Sequence, residues 1–334
     1  MSFAQLIQNA WNRQAKWLIV FRPLSWLYRG VFLFNKKLYQ CGIKASYQAP
    51  VPVMVIGNIT VGGSGKTPLL IHLVNYLHSL NVRVGVISRG YGGKGPFPAD
   101  VNLNPNPEIV GDEPCLIVGS THVPMVVGSN RKQSIEYLLS KHTVDLIISD
   151  DGLQHLALAR QIEWIVLDQN RGLGNQKLLP EGYLREPSSR LETGTVIEHA
   201  AQPKSALNMH LDVAEPYLLG ARESKIFNPA DSYYAVVGIG FPERFYRTLE
   251  SIGVHEFQCH EFPDHYDYEI TDLQFEDANP IITTEKDAVK FQMLLQQNPS
   301  FTREIWVVPV EAKLSLACYD VLHQQLQQLG IQIS

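Results

Sequence analysis

The chain has 334 residues, of which 45% are apolar, so it is long enough for two packed domains. Its four cysteines lie far apart without a Cys-x-x-Cys pair, which argues against a zinc ribbon or a disulfide framework and fits a reducing compartment. The net charge of −5 conceals an asymmetry, because residues 1–99 contain 11 Lys or Arg and no acid, which leaves 17 basic residues and all 33 acids for the rest. A basic first third predicts an anionic partner.

Residues 1–46 mix basic side chains with bulky apolar ones, including Trp11, Trp17 and Trp26. The longest unbroken apolar run, Trp17 to Phe21, is too short to span a bilayer, and no signal-peptide pattern is present. This composition favours a helix lying in a membrane interface. The alternative is a helix that packs on its own domain.

A buried strand from Val51 to Ile56, a glycine-rich loop and an apolar helix from Pro68 to Leu80 follow in that order. Glycines let backbone N–H groups converge on phosphate oxygens, and the helix N-terminus adds its dipole. Lys66 is expected to reach the β- and γ-phosphates, and the Thr67 hydroxyl to hold Mg²⁺. A turn that only caps the helix is the alternative. The predicted ATP-binding residues are Thr60, Val61, Gly62, Gly63, Ser64, Gly65, Lys66 and Thr67.

A second strand, Val82 to Ile87, leads into a loop that carries Arg89 and Tyr91 among glycines. Loops at the carboxyl ends of parallel strands line ligand crevices, so both side chains are candidates for contact with an anionic substrate. A flexible loop with incidental charge is the alternative.

Acids recur at two further places. Asp112 and Glu113 open a helix, where they either cap it or serve phosphoryl transfer as a base or as a partner of Mg²⁺. The strand from Val144 to Ser149 ends in Asp150-Asp151-Gly152, an arrangement that brings a carboxylate near Mg²⁺.

Strands and helices alternate through most of the chain, which predicts an α/β fold, a P-loop NTPase-like parallel sheet with helices on both faces. We expect residues 1–46 to form the interface region, 47–215 the P-loop domain, and 216–334 a smaller C-terminal α/β domain. The segment from His260 to Tyr266 is rich in acids and imidazoles but lacks metal-site spacing. A histidine there could orient an aspartate base.

Six motifs, in order and across most of the chain, resemble the tetraacyldisaccharide 4′-kinase family of lipid A synthesis. Thr60 stands where the general phosphate-loop pattern has a glycine, and this departure agrees with the family. Leu153 replaces the Phe of the family's pattern. The motifs are Gly57 to Pro68, Ser88 to Gly92, Gly111 to Pro114, Asp150 to His155, Phe262 to His265, and Thr283 to Asp287.

The resemblance implies an ATP- and Mg²⁺-dependent kinase. It would phosphorylate the 4′-hydroxyl of a tetraacylated glucosamine disaccharide 1-phosphate and give the bisphosphorylated lipid A precursor. It would be a peripheral or monotopic protein on the cytoplasmic face of the bacterial inner membrane, held by its N-terminal region. No nucleic acid is expected, because the basic residues lie among bulky apolar ones. No obligate protein partner is inferred.

The resemblance also implies roles for single residues. Asp112 would be the catalytic base, assisted by His265, and Lys66 would neutralise the transferring phosphoryl group. Thr67, Glu113 and Asp151 would hold Mg²⁺. The role of residues 285–287 stays open. The sugar and phosphate site would be formed by Arg89, Tyr91, Arg131, Gln154, His155 and Glu186.

Two other functions compete with this one. A soluble P-loop kinase of a small metabolite would keep the loop and Asp151 but leaves the Trp-rich N-terminus unexplained. A nucleotide-dependent switch that binds a membrane partner would hydrolyse ATP slowly, without any response to a lipid disaccharide.

Overall fold

The computed structural model describes residues 3–103, 105–200, 202–220 and 225–333, with side chains from Leu6 onward. Residues 1 and 2 of the expected interface region, and residues 221–224 and 334 of the expected C-terminal domain, lie outside the described residues. Short 3₁₀ segments occur at Lys16–Phe21, Ser188–Glu192 and Ile270–Leu273. The α-helices are α1 (Phe3–Asn12), α2 (Arg22–Gln40), α3 (Lys66–Ser79), α4 (Pro107–Val110), α5 (Asp112–Thr121), α6 (Arg131–Lys141), α7 (Pro242–Ser251), α8 (Glu285–Gln297) and α9 (Leu316–Gln328).

Within the described residues the strands form two sheets, one of nine strands and one of five. The larger sheet has the order β14-β8-β7-β6-β1-β5-β2-β4-β3, and the smaller has the order β11-β10-β12-β13-β9. The strands are β1 (Val53–Gly57), β2 (Val84–Ser88), β3 (Ala99–Asp100), β4 (Met125–Val127), β5 (Leu146–Asp150), β6 (Ile162–Asp168), β7 (Thr195–His199), β8 (Asn208–Val213), β9 (Tyr217–Leu218), β10 (Tyr233–Val237), β11 (Phe257–Glu261), β12 (Ile281–Thr284), β13 (Ile305–Val308) and β14 (Val310–Leu314).

The centre of the larger sheet is parallel, with β1 between β5 and β6. Every residue of β1, β2 and β5 is buried, because apolar clusters cover the sheet on both faces. The apolar runs of these strands are therefore near-continuous rather than alternating. The predicted α/β fold with a parallel sheet and a smaller second sheet is confirmed.

The C-terminal end of the chain differs from the expected linear boundary at residue 216. β14 pairs antiparallel with β8 in the larger sheet, and Cys318, Leu322 and Leu326 of α9 belong to the core of that sheet. The chain thus leaves the larger sheet after β8 and returns to it through Pro309, the single residue between β13 and β14. The apolar face of α9 is buried against the larger sheet. The order of elements along the chain does not reveal this packing.

The carboxyl ends of the parallel strands meet at one edge of the larger sheet. The phosphate loop follows β1, and β2, β5, β6 and β7 end in Ser88, Asp150, Asp168 and His199. Ligands bind at this edge in open α/β sheets, so the topology concentrates the polar side chains where a site is expected.

The N-terminal helices are attached to this body along one side. The Arg22 guanidinium lies 2.8 Å from the Glu181 carboxylate, and the Tyr28 hydroxyl donates to the carbonyl of Arg185 at 2.9 Å. The other side of the segment exposes apolar side chains to solvent, and such a patch marks an interaction surface. The exposed apolar residues are Trp17, Ile19, Val20, Leu24, Trp26, Leu27, Val31, Leu33 and Phe34.

By length and composition, the segment Lys16–Gln40 could also cross a bilayer, because a window of 18 residues within it has a mean hydropathy of 1.2 and 11% of that window is buried. The unbroken apolar run from Trp17 to Phe21 is too short to span a bilayer, but the longer segment that contains it is not. The contacts of Arg22 and Tyr28 hold one side of the segment against the protein body.

Candidate active site

The loop between β1 and α3 has the backbone of a phosphate cradle. Gly62 and Gly65 have φ of 99° and 89°, in the left-handed region that glycine adopts without steric cost. Gly65 is the residue directly before α3, and a Cβ added to it would lie 2.9 Å from His199 Nδ1. The Ser64 hydroxyl is buried without a hydrogen-bond partner among the described residues. A buried polar atom of this kind calls for a partner, and a bound phosphate would supply one.

Lys66 is held over this loop by side chains on both sides. Its Nζ donates to Asn58 Oδ1 at 3.1 Å and lies 3.4 Å from Asp151 Oδ1. Asn58 also donates to the carbonyl of Gly62 at 3.3 Å, so it ties the lysine to the loop. Asn58 stands inside the first motif, but the analysis of the sequence gave it no role of its own.

Asp150 and Asp151 end β5 in two different electrostatic states. Burial by itself would raise the pKa of Asp151, but the positive charges of Lys66 and Arg185 lower that pKa to about 2. Burial, together with the negative charges of Glu113 and Asp151, raises the pKa of Asp150 to about 7. Asp150 accepts a hydrogen bond from the Ser88 hydroxyl at 3.2 Å. Three carboxyl groups therefore crowd one edge of the sheet, and their mutual repulsion would be relieved by a cation.

Asp112 and His265 are in contact although 153 residues separate them. His265 Nδ1 lies 3.0 Å from both carboxylate oxygens of Asp112. Burial by itself would raise the pKa of Asp112, but the hydrogen bond with His265 and the charges of Lys286 and Lys290 hold that pKa well below its usual range. The carboxylate is thus ionised and buried.

Two of these residues have unusual backbone conformations. Asp151 and His265 have φ of 46° and 61°, in the left-handed region that non-glycine residues rarely occupy. Such strain persists where the surrounding structure fixes it, and it concentrates at functional sites.

Comparison with known proteins identifies the group to which this constellation belongs. A family model described as Tetraacyldisaccharide-1-P 4′-kinase matches residues 17–327. The chain belongs to this kinase family. It is 46% identical to the tetraacyldisaccharide 4′-kinase of Psychrobacter cryohalolentis, covering all of this chain and 99% of that one. Its identity to the corresponding protein of Psychrobacter arcticus is 45%, over all of this chain and 98% of the relative.

A solved structure agrees with this assignment. The chain resembles LpxK from Aquifex aeolicus, crystallised in complex with ATP, with a TM-score of 0.75 and 27% sequence identity. The match covers 93% of this chain and 99% of the other. The kinase therefore shares the family's fold along nearly its whole length.

The kinase has a cavity of about 1110 Å³ at the edge where the parallel strands end. Among the predicted residues, Thr60, Asp112 and Glu186 do not line it and lie one layer behind. The remaining predicted residues line its wall, namely Val61, Gly62, Gly63, Ser64, Gly65, Lys66, Thr67, Arg89, Tyr91, Glu113, Arg131, Asp151, Gln154, His155 and His265.

The residues behind the wall support those on it. Thr60 accepts a hydrogen bond from Asn58 Nδ2 at 3.2 Å. Glu186 accepts one from Gln154 Nε2 at 2.7 Å, so it orients a predicted substrate residue. Asp112 contacts His265, which places the imidazole on the wall of the cavity and the carboxylate behind it.

The predicted substrate residues differ in their surroundings. Arg131 is buried and donates to the carbonyls of Gly128 and Asp150, each at 3.1 Å, so part of its guanidinium is used to hold the end of β5. Burial and the charge of Arg131 lower the pKa of His155, which favours a neutral imidazole. The exposed Tyr91 ring lies 4.8 Å from the His265 ring, measured between centroids.

Four side chains that the sequence analysis did not select also belong to this site. Arg185 donates to Asp151 Oδ2 at 2.8 Å, and Lys290 lies 3.3 Å from Asp112 Oδ2. Asp150 lines the cavity beside Asp151. Lys286 lies 3.3 Å from Glu113 Oε1. Lys286 stands within the last of the six motifs and Arg185 directly precedes the predicted Glu186, whereas nothing in the sequence around Lys290 indicates a site.

Proposed function

We propose that the chain transfers the γ-phosphate of ATP to the 4′-hydroxyl of a tetraacylated glucosamine disaccharide 1-phosphate at a membrane surface. The observation that supports this most is one cavity wall that combines a phosphate cradle, the imidazole of an Asp–His pair and residues of the N-terminal helices. Gln8 and Tyr28 from α1 and α2 line the same cavity as Lys66 and His265. An acceptor anchored at the N-terminal surface would thus reach the reacting groups.

In this reaction the acceptor oxygen forms a bond to the γ-phosphorus, the bond from that phosphorus to the β–γ bridging oxygen breaks, and ADP leaves. The hydroxyl proton passes to the Asp112–His265 pair, with His265 on the cavity wall and Asp112 holding the positive charge that develops. Lys66 neutralises charge on the phosphoryl group, where positioning and electrostatics supply most of the rate.

A divalent cation fits the donor groups of this site. We infer that Thr67, Glu113 and Asp151 would hold Mg²⁺, because a hydroxyl and two carboxylates are the hard oxygen ligands it takes. Asp151 Oδ1 is buried, makes no hydrogen bond in the described part of the chain and lies 3.4 Å from Lys66 Nζ, so it could bind the ion once that ammonium turns to the phosphates. Among the described residues no three His, Cys, Asp or Glu side chains form a complete metal site, so phosphate oxygens and water would complete the coordination. When bound, the ion would neutralise the phosphates.

The N-terminal surface supports a peripheral or monotopic position at the cytoplasmic face of the inner membrane. Its exposed apolar side chains are interleaved with Arg and Lys, and residues 1–99 carry no acid. Such a surface suits acyl chains and anionic headgroups together.

Transfer of label from γ-labelled ATP to a tetraacyl disaccharide 1-phosphate in detergent micelles tests this proposal. We expect labelled lipid with the unmodified protein and none with Lys66→Ala. Folded protein that binds ATP but leaves the lipid unlabelled would contradict the proposed substrate.

A further inference from the structure

The start of α8 fixes the backbone on both sides of one lysine. Asp287 is buried and accepts two hydrogen bonds. One comes from the Thr284 hydroxyl at 2.8 Å, and the other comes from the backbone N–H of Gly238, directly after β10, at 3.2 Å. Glu285 accepts one from the backbone N–H of Val310 at 3.1 Å. The acids before and after Lys286 thus anchor the helix start, and Lys286, like Glu285, lines the cavity.

The Lys286 ammonium lies between two pieces of the site that are far apart in sequence. Its Nζ is 3.3 Å from Glu113 Oε1 and 4.0 Å from Asp112 Oδ2, at the start of α5. The same atom is 3.0 Å from Asp264 Oδ1 and 3.4 Å from His265 Nε2, in the loop after β11. The Lys286 ammonium therefore connects Asp112 and Glu113 with the segment that supplies the His265 imidazole.

We propose that Lys286 is a positioning residue of the phosphoryl-transfer site: it faces His265 Nε2 and so reinforces the tautomer that Asp112 favours at Nδ1. An ammonium has only donors, so the Nε2 atom that faces it presents its lone pair. The ring hydrogen then lies on Nδ1, where it is donated to Asp112. An acceptor hydroxyl that takes the place of the ammonium at Nε2 would then find a lone pair able to accept its proton. The inference rests on the proposed function and adds a role for the segment 285–287.

Lys290 offers a matched comparison, one helical turn further along α8. It lies 3.3 Å from Asp112 Oδ2 and donates to the carbonyl of Tyr266 at 2.8 Å. Replacing either lysine by methionine removes a positive charge near Asp112 while it keeps an unbranched side chain. The contact with His265 Nε2 is given by Lys286, so the two variants separate charge near Asp112 from the orientation of the imidazole.

Steady-state kinetics of full-length variants test the effect on catalysis. We expect Lys286→Met to lower kcat about 10- to 100-fold, the usual cost of losing a residue that orients a reacting group, with little change in KM for ATP. Lys286→Arg should recover part of the rate, and Lys313→Met, at an exposed ion pair with Glu311, should leave it unchanged. A tie that merely holds the sheets together would instead lower the unfolding temperature and shift kcat and KM together.

Imidazole ¹⁵N chemical shifts at one fixed pH give a readout that needs no activity. With the His265 signal assigned by a His265→Gln variant, we expect the Nδ1–H form in the unmodified protein and in Lys290→Met, and a larger share of the Nε2–H form in Lys286→Met, where Asp264 Oδ1, 3.7 Å from Nε2, is left as its acceptor. An Nε2–H form in the unmodified protein would overturn the inference, even where Lys286→Met does not fold. So would a Lys286→Met protein with unchanged kcat and an unchanged tautomer. Absence of lipid labelling with the expected tautomers would refute the proposed function and leave the positioning role standing.

Discussion

Replacing Asp112 by asparagine changes the site with almost no change in volume. The carboxylate is 3% exposed and lies 3.0 Å from His265 Nδ1, with Lys290 at 3.3 Å and Lys286 at 4.0 Å. An amide would remove the negative charge that stabilises a protonated imidazole. Its NH₂ group could also donate to Nδ1 and favour the opposite tautomer. We therefore expect kcat to fall about 10²- to 10⁴-fold, the range of an acid–base group, which corresponds to about 3–5 kcal/mol in the activation free energy.

The measurement is single-turnover transfer of label from γ-labelled ATP to the lipid acceptor in micelles, with ATP binding measured separately. Asp100→Asn is the matched control, because Asp100 forms an exposed ion pair with Lys141 at 3.0 Å and such pairs contribute little. The affinity for ATP should change little in either variant, since the cradle is built by other residues. A folded Asp112→Asn protein whose kcat stays within threefold of the unmodified value would refute the reasoning and reduce Asp112 to a helix-start residue.

Three further predictions concern the cradle and the surface. Lys66→Ala should lower transfer more than about 100-fold in a protein that still folds, because it removes a charge aimed at the phosphates; substantial label on the lipid would contradict the cradle. Gly65→Ala places a Cβ 2.9 Å from His199 Nδ1 at a φ of 89°. The free energy of unfolding, measured by chemical denaturation, should therefore fall by about 1–2 kcal/mol, and ATP should bind more weakly. Native values of both quantities would contradict the expected strain. Trp26→Glu with Leu27→Glu removes two exposed apolar side chains and should weaken flotation with anionic vesicles more than about tenfold; equal recovery would exclude this face as the membrane contact.

The elements of the larger sheet could be predicted because its strands are buried on both faces. Runs such as Val53–Ile56 and Leu146–Ile148 are continuously apolar, as expected of parallel strands that are covered on both faces. The return of the chain to this sheet could not be predicted in the same way. β14 alternates in burial like any edge strand, and pairing with β8 depends on which edge is free once the whole sheet is assembled.

The residues of the phosphate loop could be predicted because one local motif contains them. Contacts between segments that are distant in sequence could not be predicted in this way. Lys66 and Thr67 follow from the spacing of a single loop. The ion pair of Lys290 with Asp112 joins residues 178 positions apart, and the sequence around Lys290 reads as an ordinary helix. Nor does any local pattern show that Asp112 is covered while His265 faces the cavity, because burial is decided by the packing of α5 against α8.

The division of the reacting groups between two sheets has a chemical consequence. The phosphate cradle and the acids Asp112 and Glu113 belong to the larger sheet, whereas His265 and Lys286 come from the side of the smaller one. A cradle with its own complete base would activate any water that entered it and lose ATP to hydrolysis. In the proposed reaction, proton acceptance would depend on both halves being together, because the loop after β11 brings His265 to Asp112 at the start of α5. The contacts of Lys286 with both halves provide the physical link between that arrangement and the orientation of the base.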